Sequence, residues 1–273
     1  MIARRYKPGP PLAALVDCFW YYDQYFAPHR RERALPTGTV ELVVNLREDP
    51  IRVFSDDSDS IGLSLGNSVI CGAHSRYFVL DPAQQRSVIG IHFRPGGAAP
   101  FLGAPASEFT NQHIPVGDVW GEARARELRE RLLDAGTPER MFAVLERTLL
   151  CRLTQPLLPH PAVAHALCQL TAAPSSIRIN GVSAGVGYSP KHFIALFRNS
   201  VGLTPKVFCR VKRFQSVIDS LTNHRRVEWT NVALDSGFYD QSHLNREFRA
   251  FAGVTPGEYR PVSEDRPNHV PIG

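Results

Sequence analysis

Apolar positions change period along the chain. Up to about Gly103 they come in short β-branched or aromatic runs, at residues 40–46, 51–54, 77–80 and 87–93, separated by turn residues. Several such strands at close spacing predict a small barrel or sandwich. Ahead of them, residues 10–25 space Leu12, Leu15 and Val16 as a helix does and then run into aromatic residues. Packing of that cluster against the barrel is the expectation, with pocket lining as the alternative. Farther on the period lengthens. Ala125, Leu128, Leu132 and Leu133 share one face of a helix over 120–135, and Phe142, Leu145, Leu149 and Leu150 stripe a second over 137–153, with Thr137 as cap and Pro138 in its first turn. These helices are read as packing on the barrel or as forming a dimer surface. A proline-rich stretch, 155–161, then interrupts helix formation and marks a boundary.

Beyond it one pattern is written twice. GYSPKHFIALFRNSVGLTPKVF at 187–208 returns as GFYDQSHLNREFRAFAGVTPGEY at 237–259. Pairs such as His192 and His243, Phe197 and Phe248, Arg198 and Arg249, and Gly202 and Gly253 lie 51 residues apart, and Gly187 and Gly237 lie 50 apart. Two copies are too few to stack a solenoid, so the repeat predicts twin modules. In the second, Thr230 caps a short helix, Gly237 ends it, and Asp240 caps a second helix that buries Leu244, Phe248 and Phe251 before Gly253. In the first, Gly187 follows a short helix over 182–186, Ser189 caps the next, and Phe193, Leu196, Phe197 and Val201 face inward. Each copy is thus a helix-turn-helix. The positions left outward are Lys191, His192, Ile194, Ala195 and Arg198 in one copy and Gln241, Ser242, Asn245, Arg246 and Arg249 in the other. Residues 205–223 read as one connecting helix of about 28 Å, close to the roughly 34 Å between successive major grooves on one face of B-DNA.

Charge sharpens this. The chain carries 31 Lys and Arg against 26 Asp and Glu over 273 residues, and residues 160–260 hold twelve of the former and six of the latter. The positive surplus therefore sits with the repeat and favours a polyanionic partner there. Hydrophobic residues at 43% and charged ones at 21% fit a globular protein. No long apolar run and no apolar core near the amino terminus is present, so no membrane partner and a cytoplasmic location are expected. The five cysteines are scattered, which points to free thiols rather than disulfides or thiolate zinc. An acidic loop, 56–68, lacks the glycine and glutamate of a calcium loop and reads as a solvated connection. The strongest enzyme reading is a metal-dependent cupin using His74, His92 and Glu41; the two histidines lie 18 residues apart without a partner motif, so no catalytic residue, metal or cofactor is assigned.

The repeat, with VALDSGFYDQSHLNREFRAFAGVTPGEYR as its second half, resembles the carboxy-terminal domain of the AraC/XylS family of transcriptional regulators. The resemblance implies that two helix-turn-helix units joined by a long helix enter adjacent major grooves of double-stranded DNA. It assigns base reading to Lys191, Ile194, Ala195, Ser242, Asn245 and Arg246. Phosphate contacts or support fall to Ser189, His192, Arg198, Gln241, His243 and Arg249. LPTGTVELVVNL and GIHFRPGGAAPFLGAPASEFT resemble the regulatory domains of a subgroup of these proteins. The fold expected is α+β: a cupin-like β-barrel sensor at 1–105, a helical linker or dimerisation segment at 106–159, an all-α DNA-binding domain at 160–261 and a disordered tail at 262–273. The function expected is a sequence-specific regulator, an activator by preference, with a small-molecule effector, a second copy of the chain and RNA polymerase as further candidate partners. A DNA-repair regulator with methyl-accepting cysteines and a protein-interaction module rank below it.

Overall fold

The computed structural model describes residues 1–153, 160–172, 174, 181–182, 185, 187–223 and 228–272. The proline-rich boundary at 155–159 and most of the short helix expected at 182–186 lie outside them. Two antiparallel sheets face each other in the amino-terminal half. One has six strands in the order β1 (Ile2–Tyr6), β2 (Val16–Asp23), β9 (Ser87–Phe93), β4 (Glu41–Asn45), β7 (Ser68–Cys71) and β10 (His113–Pro115). The other has five, in the order β11 (His269–Ile272), β3 (Arg31–Ala34), β8 (Phe78–Leu80), β5 (Arg52–Phe54) and β6 (Leu63–Ser64).

The six-stranded sheet is buried on both sides. Leu42, Val44, Ile70, Ile89 and Ile91 face the main hydrophobic core, whereas Val43, Val69 and Val88 point the other way into a smaller apolar cluster between the sheets. Double burial erases the in–out alternation that identifies a strand. That is why residues 10–25 misread as a helix: only Leu12–Ala14 makes a short 3₁₀ turn, and Val16–Asp23 is the strand beside β9. Phe19 lies in the main core while Trp20 and Tyr22 border the inter-sheet cavity, so the aromatic cluster both packs and lines a pocket. Gly90 makes room for the indole, since a Cβ there would lie 2.3 Å from the Trp20 ring.

Helices α1 (Ala99–Leu102), α2 (Val116–Trp120), α3 (Glu122–Ala135) and α4 (Pro138–Arg152) cover the core face of this sheet. The expected 120–135 helix is split at Gly121 into α2 and α3. Thr137 caps α4 by accepting from the Arg140 N–H at 3.4 Å. The sheet does not stop at 105, because β10 pairs with β7.

Helices α5 (Pro161–Ala172), α6 (Pro190–Val201), α7 (Pro205–Asn223), α8 (Trp229–Asp235) and α9 (Gln241–Ala252) form the carboxy-terminal half. Its buried phenylalanines belong to the same continuous core as the sheet's. Residues 262–272 are not frayed. Low apolar periodicity hides a strand, β11, that extends the second sheet by pairing with β3. No described helix is long and apolar enough to cross a membrane.

Candidate nucleic-acid interface

The 51-residue repeat becomes two helices of 12 residues each, α6 and α9, whose bounds differ by that period. Their ends are built alike. Ser189 Oγ accepts from the His192 N–H at 3.3 Å and Asp240 Oδ1 from the His243 N–H at 2.7 Å. At the other ends the Gly202 and Gly253 N–H groups donate to the Arg198 and Arg249 carbonyls at 2.8 and 2.9 Å. The turns entering the helices use Gly187 and Gly237 at φ +74° and +77°, a left-handed backbone that a side chain would strain. Only one cap expectation fails: α8 begins at Trp229 with Glu228 at the N-cap, so Thr230 lies inside the helix.

A single helix, α7, holds both units. Phe208 meets Phe197 of α6 at 5.7 Å between ring centroids, and Phe214 meets Phe248 and Phe251 of α9 at 5.0 and 5.1 Å. Six residues along a helix turn through about 240°, so two phenylalanines on different sides of one rod anchor one unit each. Polar contacts then fix the second unit. Arg210 grips Glu247 of α9 with two bonds of 2.7 and 3.0 Å, and Arg213 Nη1 donates to the Gly237 carbonyl in the turn at 3.0 Å. Burial alone would raise the Glu247 pKa, but the Arg210 guanidinium holds it below the usual carboxylate range.

With the apolar faces turned in, Lys191, Ile194 and Ala195 are exposed on α6, as are Ser242 and Arg246 on α9, while Asn245 is half-buried. The six side chains assigned to base reading are thus distributed over two helices of matching construction. Among the supporting residues, Ser189 is the cap just described, and His192, Arg198 and Gln241 are exposed. His243 turns inward, its ring edge-on to Phe238 and its Nδ1 accepting from the Tyr239 N–H at 3.3 Å, which makes it a brace of the turn. Arg249 stands 3.9 Å from Glu258 with both side chains largely exposed, a contact of little energetic weight that leaves the guanidinium available to phosphate.

Sequence reasoning missed the clamp residues Arg210, Arg213 and Glu247, and also a tyrosine pair. Tyr188 and Tyr239 lie 51 residues apart in the two turns, so extending the repeat one position past each cap would have found them. Tyr188 rests between His160 and His192, whereas Tyr239 is 86% exposed beside the Asp240 cap.

The residues of the rival metal reading do meet. Glu41 and His92 are hydrogen-bonded at 2.9 Å on the cavity wall that also carries His74. Burial would lower the His92 pKa, but the Glu41 carboxylate raises it; burial holds His74 down at about 4. Among the described residues no group of three or more His, Cys, Asp or Glu is arranged to hold a metal ion.

Residues 182–261 match the family model of a helix-turn-helix domain, and residues 4–115 that of a domain of unknown function (DUF6597). The bifunctional transcriptional activator/DNA repair enzyme Ada of Escherichia coli (strain K12) is 28% identical over 103 residues, which span 38% of this chain and 28% of Ada. ToxT from Vibrio cholerae O395, solved with (E)-4-(8-methylnaphthalen-1-yl)but-3-enoic acid bound, shares the fold over 88% of this chain and 97% of its own, at 10% identity and a TM-score of 0.50. A transcriptional regulator with an AraC-type DNA-binding domain from Chromobacterium violaceum is 20% identical and covers 36% of this chain and 88% of its own, with a TM-score of 0.33. Two turn-and-helix pairs of one design, held on a shared helix, fall within the residues matched by that domain model, so residues 182–261 of this chain form a helix-turn-helix domain.

Proposed function

We infer that the chain reads a specific DNA sequence with α6 and α9 in adjacent major grooves and regulates transcription, by preference as an activator, under control of its amino-terminal half. The observation that carries this reading is the pair of identically capped helices, each with its apolar face on α7 and its polar face in solvent. Arg pairs with guanine and Asn with adenine through two hydrogen bonds each, and α9 offers Asn245 and Arg246, whereas α6 offers Ile194 and Ala195 for thymine methyls and Lys191 for guanine or phosphate. Specificity is therefore unequal, with the second unit dominant. His192, Arg198, Gln241 and Arg249 flank these positions and suit phosphate contacts, which set register without carrying sequence.

The inter-sheet cavity, about 320 Å³, supports an effector role for residues 1–105, and a bound organic acid in ToxT fits that assignment. Leu133 and Leu150, on α3 and α4, are 40% and 42% exposed and support a dimer surface along the 106–159 segment; RNA polymerase is the partner an activator requires. A repair role like that named for Ada draws no support from Cys18, Cys71 and Cys209, because burial raises their pKa and disfavours the thiolate that a methyl acceptor needs. Selecting bound sites from random duplexes tests the reading. A split consensus whose better-defined half depends on Asn245 and Arg246 supports it, and equal definition of both halves contradicts the dominance of the second unit.

A further inference from the structure

The cavity between the sheets has a built polar end and an unusual lid. Val43, Val53, Val69 and Phe78 form its apolar part. Strand register aligns Cys18, His92, Glu41, Cys71 and His113 in one row across five strands. Within that row Glu41 and His92 satisfy each other, and His92 Nε2 also meets Thr39 Oγ1 at 3.0 Å. Residues 265–269, beyond the second helix-turn-helix unit, form another wall.

Arg266 is the centre of that wall. It is 3% exposed, its guanidinium lies 4.4 Å over the Tyr25 ring, and its Nη2 stands 3.6 Å from Glu32 and 2.9 Å from His269 Nδ1. Glu32, wholly buried, is already shared among Tyr25, His29 and His269. Among the described residues Arg266 Nε and Nη1 have no hydrogen-bond partner. A guanidinium does not deprotonate, and a buried donor left unmatched is costly, so these two N–H groups call for oxygen acceptors. Arg5 stands at the same wall with two neutral partners, the Tyr22 hydroxyl at 3.3 Å and the Asp265 carbonyl at 3.0 Å. Two guanidiniums beside an apolar chamber suit a carboxylate on an apolar body.

We propose that the cavity binds a small apolar carboxylate whose head is held by Arg266, and that the carboxy-terminal tail is the lid through which occupancy reaches the second DNA-reading unit. This rests on the effector reading above and names its ligand class and its route. The route is a chain of contacts. β11 is pinned to β3, Tyr259 Oη donates to the Pro267 carbonyl at 2.5 Å, and the Tyr259 ring stands edge-on to Phe248 of α9 at 5.9 Å. Gln215 of α7 donates to Asn268 Oδ1 at 2.9 Å and to the Pro36 carbonyl at 2.8 Å, joining the lid, the connecting helix and the sensor sheet at one side chain. A ligand that completes Arg266 therefore stiffens the segment tied to α9.

The test uses the full chain with 2-naphthoate as probe and its neutral analogue 2-naphthamide as control, read by fluorescence titration and by hydrogen exchange. Naphthoate is expected to bind at least tenfold tighter than the amide and to slow exchange of the His269, Val270 and Ile272 amides about tenfold. Arg266→Met should erase the preference, and Val69→Trp, which fills the chamber, should abolish binding. Equal affinity for the two probes in the unmodified chain, binding that survives Val69→Trp, or unchanged exchange at those three amides overturns the proposal, and the first and last of these need no variant. A chain that selects a DNA sequence yet fails these probes loses the lid and keeps the regulator reading; one that passes them yet selects no sequence loses the regulator reading and keeps the cavity.

Discussion

Arg246 and Ile194 occupy corresponding stretches of the two reader helices but offer DNA different chemistry. Arg246→Ala should weaken binding to the selected site by about 1–3 kcal/mol and binding to random duplex far less. Competition titrations on both DNAs check this, and equal losses would reduce Arg246 to a phosphate contact. Arg213 acts at one remove. Its bond to the Gly237 carbonyl sets the angle at which α9 leaves the turn, so Arg213→Lys, which keeps the charge but loses the planar fork, should weaken specific binding several-fold while leaving the salt dependence unchanged. The outward positions of α6 and α9, the caps Ser189 and Asp240 and the buried phenylalanines were legible in the sequence, because helix periodicity and capping chemistry are local. Arg210, Arg213 and Glu247 were not, since their partners lie 24 to 37 residues away and nothing in the spacing reports that.

The elements differ in how far local rules carry. α6, α7 and α9 begin and end where cap residues and one-sided apolar stripes place them. Asp240→Ala should therefore cost about 1 kcal/mol of stability, measured by denaturant unfolding, because it removes the acceptor of the His243 N–H. β2 defeated the same rules. A strand packed on both faces has no alternation, and its Leu12, Leu15 and Val16 lead-in imitates a helical stripe. β11 failed for the opposite reason. His269, Val270, Pro271 and Ile272 form too short a run to register, and they become a strand only because β3 offers a free edge. The acidic loop likewise gains its role from a distant partner. Asp57 pairs with Arg33 of β3, and the Asp59 carbonyl accepts from Arg31 at 2.6 Å, so a connection read as solvated also pins the strand beneath the tail.

At the scale of the whole molecule, the two halves share one core, and polar contacts cross between them. Ser107 meets Asn199 at 2.9 Å, Thr110 donates to the Gly202 carbonyl at the end of α6, and Gln215 donates to the Pro36 carbonyl just beyond β3. A boundary drawn at a proline-rich stretch cannot reveal this docking, because the contacts join segments about 90 or more residues apart. Acid should loosen the assembly in two stages. Burial holds His74 near 4 instead of 6.5, so the stability gained by keeping it neutral is complete above about 6.5 and is lost as pH falls towards 4. Burial would raise Glu32, but His269, Arg266 and Tyr25 bring it down from 4.5 to about 2, so its contribution, on the order of 3 kcal/mol, disappears between those values. Thermal midpoints should therefore decline from pH 6.5 downward, and His74→Gln should make the upper stage shallower while leaving the lower, with His113 and His269, which burial also holds below 6.5, carrying the rest of the upper stage.

The proposed reading of DNA by two unequal helix-turn-helix units, with the second in command, stands or falls on site selection. The full chain selects bound sites from random duplexes, and the selection is repeated with Asn245→Ala and Arg246→Ala combined. A two-part consensus is expected in which the double variant loses the more sharply defined half and keeps the other, with log affinity falling linearly with log salt in both proteins. Enrichment of no sequence, or a consensus that the double variant leaves intact, would overturn the reading.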